Sequence, residues 1–355
     1  MKKEIKSLTG IRGLAALYVA FYHFLEPFNK TTQYNVRNFL KHGYNSVDMF
    51  FILSGFVMTL SSKKLFDGVI TRHNYMLFMK RRFARIYPIY LVLTLITFAL
   101  VFKFREINRL LINLLLLQIL PTFKSIVGPS WSLSAEWLAY LCFPFFVMFV
   151  YKYSSRTWDV ICWILSFSLL LFVSLNNSNF LNGFQKLPHL NGSLDRFLGF
   201  SAILRCFSEY LMGIAIYKIF TKYKIKYFKY YHYTALPSFF LIIILLFLPN
   251  NDIVLVFLFC VLIFSLSTDT GVIAQLLSSA PIYFLGEISY SLYLIHAILV
   301  RADKNLYKRL LIYDIQYLNV INVVIFFIAL ILFSYIGYKF VEIPSRNFLR
   351  KKLES

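Results

Sequence analysis

The chain has 355 residues, of which 59% are hydrophobic and only 15% are charged. Soluble domains average about 45–50% apolar and about 25% charged residues, and a single soluble core of this length could not bury so much apolar surface. The composition therefore excludes a soluble enzyme, a disordered tail and a single-span anchor. It indicates a polytopic membrane protein, since about ten helices of roughly 20 residues would use this supply of apolar residues.

The formal net charge of +21 needs its own interpretation. Nucleic-acid-binding proteins carry such charge on a folded polar surface, and this composition leaves almost no polar surface to carry it. An excess of Lys and Arg in cytoplasmic loops is typical of membrane proteins, because it orients their helices. We therefore expect the lipid bilayer and no nucleic acid as a partner. Acidic lipids or an acidic ligand are additional uses of the charge.

The first apolar segment, Leu8 to Phe28, follows two lysines but lacks a small-x-small cleavage site and contains Arg12 and His23. We interpret it as a retained helix and not as a signal peptide. The sequence predicts an all-α fold of about ten transmembrane helices, in a single membrane domain over residues 1–355 with its motifs between residues 7 and 344. The nine further apolar runs lie at about 45–61, 83–102, 131–151, 158–175, 203–220, 233–249, 252–267, 282–300 and 318–341.

An additional short run at 107–120 ends at Pro121. If this run does not cross the membrane, the basic stretches at 63–85, 218–229 and the C-terminal tail all lie on the side of the N-terminus. If it crossed, the second and third of these stretches would move outside, against the usual bias of basic loops. We therefore expect a re-entrant or interfacial helix here, both termini in the cytoplasm, and a multi-pass protein of the cytoplasmic membrane.

The four cysteines each lie singly inside apolar runs, and no CxxC pair occurs. The spacing predicts neither a metal site nor a disulfide framework.

Ionisable side chains at membrane depth are costly and are usually functional. His23 follows Arg12 by eleven residues, which is about 1100° of rotation and about 16 Å of helix. The two side chains therefore share a helix face, with Arg12 near the cytoplasmic end and His23 towards the outer half. A lone histidine on such a helix is also compatible with a packed, hydrogen-bonded core residue.

Four other segments carry similar groups, and the ten-span topology places them in two layers. The acids Asp48 and Glu136 and the imidazole of His296 fall with His23 in the outer layer. Arg82 and Arg85 fall with Arg12 on the cytoplasmic side. Each group also has a simpler interpretation: the acids as helix N-terminal groups, and the arginines as topology signals.

Together these segments resemble the acyltransferase 3 family of integral-membrane acyltransferases. The motifs occur in the family's order over residues 7–344, although Ser46 stands where the family usually has glycine. They are Arg12-x10-His23, the segment from Asp48 to Gly55, Arg82-Phe83-Ala84-Arg85, Trp131-Ser132-Leu133 to Glu136, Ser289-Tyr290-Ser291-Leu292-Tyr293-Leu294-Ile295-His296, and Glu342-Ile343-Pro344.

The resemblance implies transfer of an acyl group, most often acetyl from acetyl-CoA, to a hydroxyl of a cell-surface polysaccharide or lipid-linked sugar. Acceptors in the family include O-antigen, capsule and exopolysaccharide units, with macrolides in some members. The family's Arg and His carry over to Arg12 and His23, and its Arg-x-x-Arg to Arg82 and Arg85. No SGNH domain, as found on many members, occurs in this sequence, so we expect the membrane domain to deliver the acyl group itself or through a separate partner.

Within this expectation, His23 acts as general base on the acceptor hydroxyl, with a covalent acetyl-His23 intermediate as a less favoured alternative. Arg12, Arg82 and Arg85 hold the CoA phosphates, and no metal is required. Asp48, Glu136 or His296 orients His23 or the acceptor, and the sequence does not choose among them. The expected acceptor-binding residues are Trp131, Ser132, Ser289, Tyr290, Tyr293 and His296.

The main alternative is a transporter or flippase of a lipid-linked saccharide, which would also place polar groups at membrane depth. The sequence shows no pair of Gly- or Pro-broken helices in matching halves, and this favours the enzyme.

Overall fold

The structure is a computed structural model that describes residues 4–25, 34–66, 69–102, 105–121, 123–176, 178–184, 193–310 and 318–354. These residues form helices and connecting turns without a β-strand, which confirms the predicted all-α fold for this part of the chain. The helices are α1 (Lys6–Leu25), α2 (Tyr34–Lys41), α3 (Ser46–Ser62), α4 (Arg72–Thr97), α5 (Ile107–Leu114), α6 (Trp131–Tyr151), α7 (Arg156–Leu175), α8 (Gly199–Tyr231), α9 (Ala235–Leu246), α10 (Asp252–Leu266), α11 (Val272–Leu277), α12 (Ala280–Glu287), α13 (Ser289–Leu310), α14 (Leu318–Gly337) and α15 (Ile343–Glu354).

Within the described ranges, seven helical segments are long and apolar enough to cross a membrane. The pair α12 and α13 passes the same test when taken together, with a bend of 70° between them, which gives eight. The segments His232–Leu246 and Asp252–Leu266 are apolar but shorter. All ten predicted apolar runs are therefore helical, whereas the predicted number of ten crossings is not confirmed.

The predicted short segment at 107–120 is helical only in α5, and turns follow up to Pro121. Its eight residues span about 12 Å, which is less than half of a hydrocarbon core of about 30 Å. Helix α5 is too short to cross the bilayer.

Helix α8 lies at the centre of the bundle. Of its membrane-length part 78% is buried, against 28% for the segment that contains α14. The four cysteines are free, and three of them are buried core residues.

Helices α1 and α12 touch through glycine. A Cβ atom on Gly13 would lie 2.4 Å from the backbone nitrogen of Gly286, and one on Gly286 would lie 2.1 Å from the carbonyl oxygen of Thr9. Small residues allow this close backbone approach between membrane helices. The contact fixes the start of α1 against the end of α12.

Helices α3 and α8 approach in the same way. A Cβ atom on Gly55 would lie 2.2 Å from the carbonyl oxygen of Tyr210, and one on Gly213 would lie 2.1 Å from that of Ile52. The face of α3 that packs on α8 is therefore closed to any ligand.

A buried ion pair joins the same two helices. Arg205 Nε lies 2.5 Å from Asp48 Oδ1 and 3.7 Å from Glu209 Oε1, and these three side chains are at most 1% exposed. Asn45 Nδ2 also donates to Asp48 Oδ2 at 3.2 Å. Two carboxylates thus surround one guanidinium at the N-terminal end of α3.

The glycine contact leads to a stability prediction. Gly13→Ala should destabilise the protein by about 1–3 kcal/mol or more, because the added methyl group overlaps backbone atoms of α12. The measurement is the melting temperature of detergent-purified protein. Gly128→Ala is the matched control, since the nearest atom to its Cβ lies 4.0 Å away. Equal melting temperatures for the two variants would contradict the close contact.

The buried ion pair predicts an order of stabilities. Arg205→Met should cost about 3–5 kcal/mol, because it removes the cation that pairs with two buried carboxylates. Asp48→Asn should cost less, because Glu209 still balances the guanidinium. Melting temperatures of the purified variants test this order. An Asp48→Asn protein that melts like the wild type but has lost its activity would instead favour the expected catalytic role of Asp48.

Candidate active site

A cavity of about 460 Å³ lies between α1, α3, α4, α6, α12 and α13, and the segment around α15 closes it. Its size is within the range of small-molecule sites. Its polar lining residues include Glu4, Arg12, Ser54, Arg85, Ser132, Glu136, Tyr140, Glu287, Ser289, Tyr290, Tyr293, Tyr338, Glu342 and Arg346.

The cavity is elongated along the bundle. Its lining residues on α3 run from Val47, in the first turn, to Ser61, in the last turn, which is about 21 Å of helix. Gly43, just before α3, packs against Tyr22, near the end of α1, so the two helices run in opposite directions. Glu4, before α1, therefore lines the same end of the cavity as Ser61. The cavity therefore extends from the N-terminal end of α1 deep into the bundle.

Arg12 is held at the break between α12 and α13. Its Nη2 donates to the Gly286 carbonyl oxygen at 2.9 Å, and its Nε donates to Ser289 Oγ at 2.9 Å. The bend after α12 leaves this carbonyl without a continuing helix, so the guanidinium caps the end of α12. The first turn of α13 lines the cavity directly beside Arg12.

Only one arginine of the Arg-x-x-Arg motif lines the cavity. Arg85 does. Arg82 instead lies 5.6 Å from the ring centroid of Phe78 and donates to the sulfur of Met58 at 2.9 Å. The spacing of three residues puts the two side chains on neighbouring positions of the helix surface, and α4 turns Arg85 towards the cavity.

The carboxylate of Glu136 is fixed on the cavity wall. Its Oε1 accepts hydrogen bonds from Ser54 Oγ at 2.5 Å and from Tyr140 OH at 2.6 Å. Its Oε2 accepts no hydrogen bond from a described residue. This oxygen is therefore available to a ligand donor, such as an amide or hydroxyl group.

The deep end of the cavity carries hydroxyl groups from α6 and α13. Ser132 Oγ and Tyr293 OH lie 2.8 Å apart, and both are within hydrogen-bond distance of the Pro129 carbonyl oxygen. Tyr290 OH donates to the Ile86 carbonyl oxygen at 2.6 Å.

Trp131 lies beside this end without lining the cavity. Its ring centroid is 6.4 Å from that of Phe51, and the guanidinium of Arg205 lies 5.9 Å from it.

His23 and His296 lie next to each other, a lateral contact that the sequence does not predict. Their ring centroids are 5.3 Å apart with nearly parallel planes, and the His296 centroid lies 5.7 Å from that of Tyr293. His296 is fully buried, and neither of its ring nitrogens has a hydrogen-bond partner among the described residues. His23 itself does not line the cavity. Tyr293 and His296 connect it with the deep end.

The structure thus brings together most, but not all, of the expected site residues. Asp48 lies on the opposite side of α3, paired with Arg205, and Arg82 and Trp131 lie behind the cavity wall. Residues on the cavity are Arg12, Arg85, Ser132, Glu136, Ser289, Tyr290 and Tyr293, with His296 and His23 in line beyond Tyr293.

Several polar residues escaped the sequence analysis. Arg205 and Glu209 stand four residues apart inside an apolar run, and the cost of charge at membrane depth was the signal that could have identified them. Arg346 was assigned only to the basic C-terminal tail. Ser54 lies within the motif from Asp48 to Gly55 but received no role there, and Tyr140 carries no pattern that distinguishes it from other residues of membrane helices.

Among the described residues, no group of three or more His, Cys, Asp or Glu side chains could hold a metal ion.

Comparison with known proteins gives matches over most of the chain. A family model described as an acyltransferase domain, that of the acyltransferase 3 family, matches residues 5–339. The acyltransferase MdmB of Streptomyces mycarofaciens is 38% identical over 43% of this chain and 42% of its own length. A protein of Staphylococcus aureus (strain COL) named "Putative O-acetyltransferase" is 25% identical over 97% of this chain and 58% of its own length. This chain therefore spans less than two thirds of either relative.

No solved structure matches the chain. The matched residues 5–339 contain every motif named above except Glu342-Ile343-Pro344, and the S. aureus relative aligns with nearly the whole chain. The chain therefore belongs to the acyltransferase 3 family.

Proposed function

We propose that this protein is an acyltransferase that moves an acyl group, in the first place acetyl, from acyl-CoA to a hydroxyl of a cell-surface polysaccharide or lipid-linked sugar. The observation that carries the proposal is the cavity itself. Arg12 and Arg85 line the cavity near one end, and Tyr293 lines its other end. Tyr293 contacts His296, and His296 contacts His23. The name of the S. aureus relative supports acetyl as the group transferred.

The donor enters from the end of the cavity at Glu4 and Ser61. The excess of basic residues supports a cytoplasmic position of this end, where acyl-CoA is available. Arg12 and Arg85 hold the phosphates, since guanidinium groups bind phosphate through several hydrogen bonds at once. Arg82 does not line the cavity, so its expected donor role lacks the support that the other two have.

At the deep end, His23 removes the proton from the acceptor hydroxyl as its oxygen attacks the thioester carbonyl. The new C–O bond forms, the C–S bond breaks, and the proton taken by the imidazole is available to the departing thiolate. Because Tyr293 and His296 lie between His23 and the cavity, these side chains must move when both substrates are bound.

The acceptor is held by the hydroxyl-rich deep end. Ser132, Tyr290 and Tyr293 offer hydroxyl groups there, and His296 offers two ring nitrogens without a hydrogen-bond partner among the described residues. Ser289 lies at the other end, where its hydroxyl accepts a hydrogen bond from Arg12, so its expected contact with the acceptor lacks this support. Trp131 does not line the cavity, so its expected contact with the acceptor lacks this support as well. Glu136 orients the substrates through its free oxygen.

Two further parts of the proposal concern Asp48 and the membrane. Asp48 acts through the position of α3, because its carboxylate contacts Arg205 on the face opposite the cavity. The protein is a multi-pass protein of the cytoplasmic membrane with both termini in the cytoplasm.

Replacing the base tests the chemistry. His23→Ala should lower acetyl transfer from labelled acetyl-CoA by about 10²–10⁴-fold, the usual contribution of a general base, while acetyl-CoA binding persists. Transfer is measured in membranes that contain equal amounts of protein. His73→Ala is the matched control, because this imidazole is exposed at the start of α4. Full activity of His23→Ala would exclude His23 as the base.

Replacing one arginine tests the donor end. Arg85→Gln should raise the KM for acetyl-CoA about tenfold or more, since a hydrogen bond to a charged group contributes about 1.5–3 kcal/mol. Arg81→Gln removes an exposed arginine of the same helix that does not line the cavity, and its KM should stay at the wild-type value. Similar KM values for the two variants would place the donor elsewhere.

A further inference from the structure

A carboxylate stands among the arginines of the proposed donor site. Glu342 is within electrostatic range of Arg85, Arg12 and Arg346, and all four side chains line the same cavity. None of the four forms an ion pair within 4.0 Å with a described residue. The three guanidinium groups are therefore gathered around a space that this carboxylate does not fill.

The arginines keep donors available for an anion. A guanidinium has five N–H groups, and Arg12 uses only two of its nitrogens in contacts with Gly286 and Ser289. Arg346 is exposed on α15, and neither it nor Arg85 donates a hydrogen bond to a described residue. An incoming phosphate thus finds unpaired N–H groups from three different helices.

Glu342, in contrast, is held in place. It ends a single π-helical turn, Tyr338–Glu342, that joins α14 to α15, and its Oε1 accepts a hydrogen bond from Ser291 Oγ. Single π-turns often occur at functional sites, because they turn a side chain away from the regular helix face. The carboxylate of Glu342 therefore cannot move far from an anion that binds to the arginines.

We infer that Arg346, with Arg12 and Arg85, binds a phosphate of the donor, and that the fixed negative charge of Glu342 limits the affinity for this phosphate. The inference rests on the proposed function, since it names the residues that set donor affinity at the same site. Arg346 thus has the phosphate-binding role that the sequence analysis expects of Arg82. Repulsion by Glu342 weakens binding of the donor and of the CoA product alike, which favours release after transfer.

The test compares two donors that carry the same acetyl thioester. Acetyl-CoA has phosphates and S-acetylpantetheine has none. Glu342→Gln should lower the KM for acetyl-CoA roughly three- to tenfold, because it removes a like charge at close range and keeps an oxygen for Ser291. Arg346→Gln should raise this KM by a similar factor. Neither variant should change the KM for S-acetylpantetheine.

Lys339→Gln is the control for a lost positive charge, because Lys339 lies on the same turn but does not line the cavity. Its KM for acetyl-CoA should equal that of the wild type. Melting temperatures of all variants separate folding defects from donor binding. A Glu342→Gln protein that folds but has an unchanged or raised KM for acetyl-CoA would overturn the inference, as would equal effects of Arg346→Gln on both donors. A folded wild-type protein that transfers nothing from acetyl-CoA would instead overturn the proposed function.

Discussion

The contact between α1 and α12 at Gly13 and Gly286 is the constraint on which the site depends. It brings the carbonyl group of Gly286, which also accepts from Ser289 Oγ, to Arg12, and the bend that follows places the first turn of α13 in the cavity. Helices α1 and α13 then run side by side, from Arg12 and Ser289 at one end to His23 and His296 at the other. One helix pair thus joins the proposed donor end to the proposed base.

The two faces of helix α3 pack against different partners, and this explains why Asp48 does not line the cavity. One face carries Phe50 and Ser54, which line the cavity. The opposite face carries Asp48 and Gly55, which contact α8 through the ion pair and the backbone approach. Asp48, the charged residue in the first turn of α3, therefore anchors this helix to α8. The residue of α3 that contacts Glu136 in the cavity is Ser54, through its hydroxyl group.

The sequence predicted the helices and several residues that the structure places at one cavity, and the differences share one physical cause. Periodicity and the cost of charge at membrane depth select candidate side chains; of these, Arg12 and Glu136 line the cavity, and His296 and His23 lie beyond Tyr293. Neither periodicity nor the cost of charge tells which helix packs against which neighbour. The pairing of Asp48 with Arg205, and the turn of Arg82 towards Phe78, follow from lateral packing. Arg346 was missed for the opposite reason, because in a basic tail its charge is not distinctive.

The distribution of charge in the cavity shows why the net charge of the chain says little about its ligand. The chain carries +21 overall, yet the cavity is lined by three arginines and four glutamates, Glu4, Glu136, Glu287 and Glu342. Most of the positive charge lies outside this cavity, where it orients helices. Within it, one carboxylate oxygen of Glu136 accepts from two hydroxyl groups, and two nitrogens of Arg12 donate at the break between α12 and α13. Discrimination between an anionic donor and other molecules must therefore come from where each charge is fixed, and not from an excess of one sign.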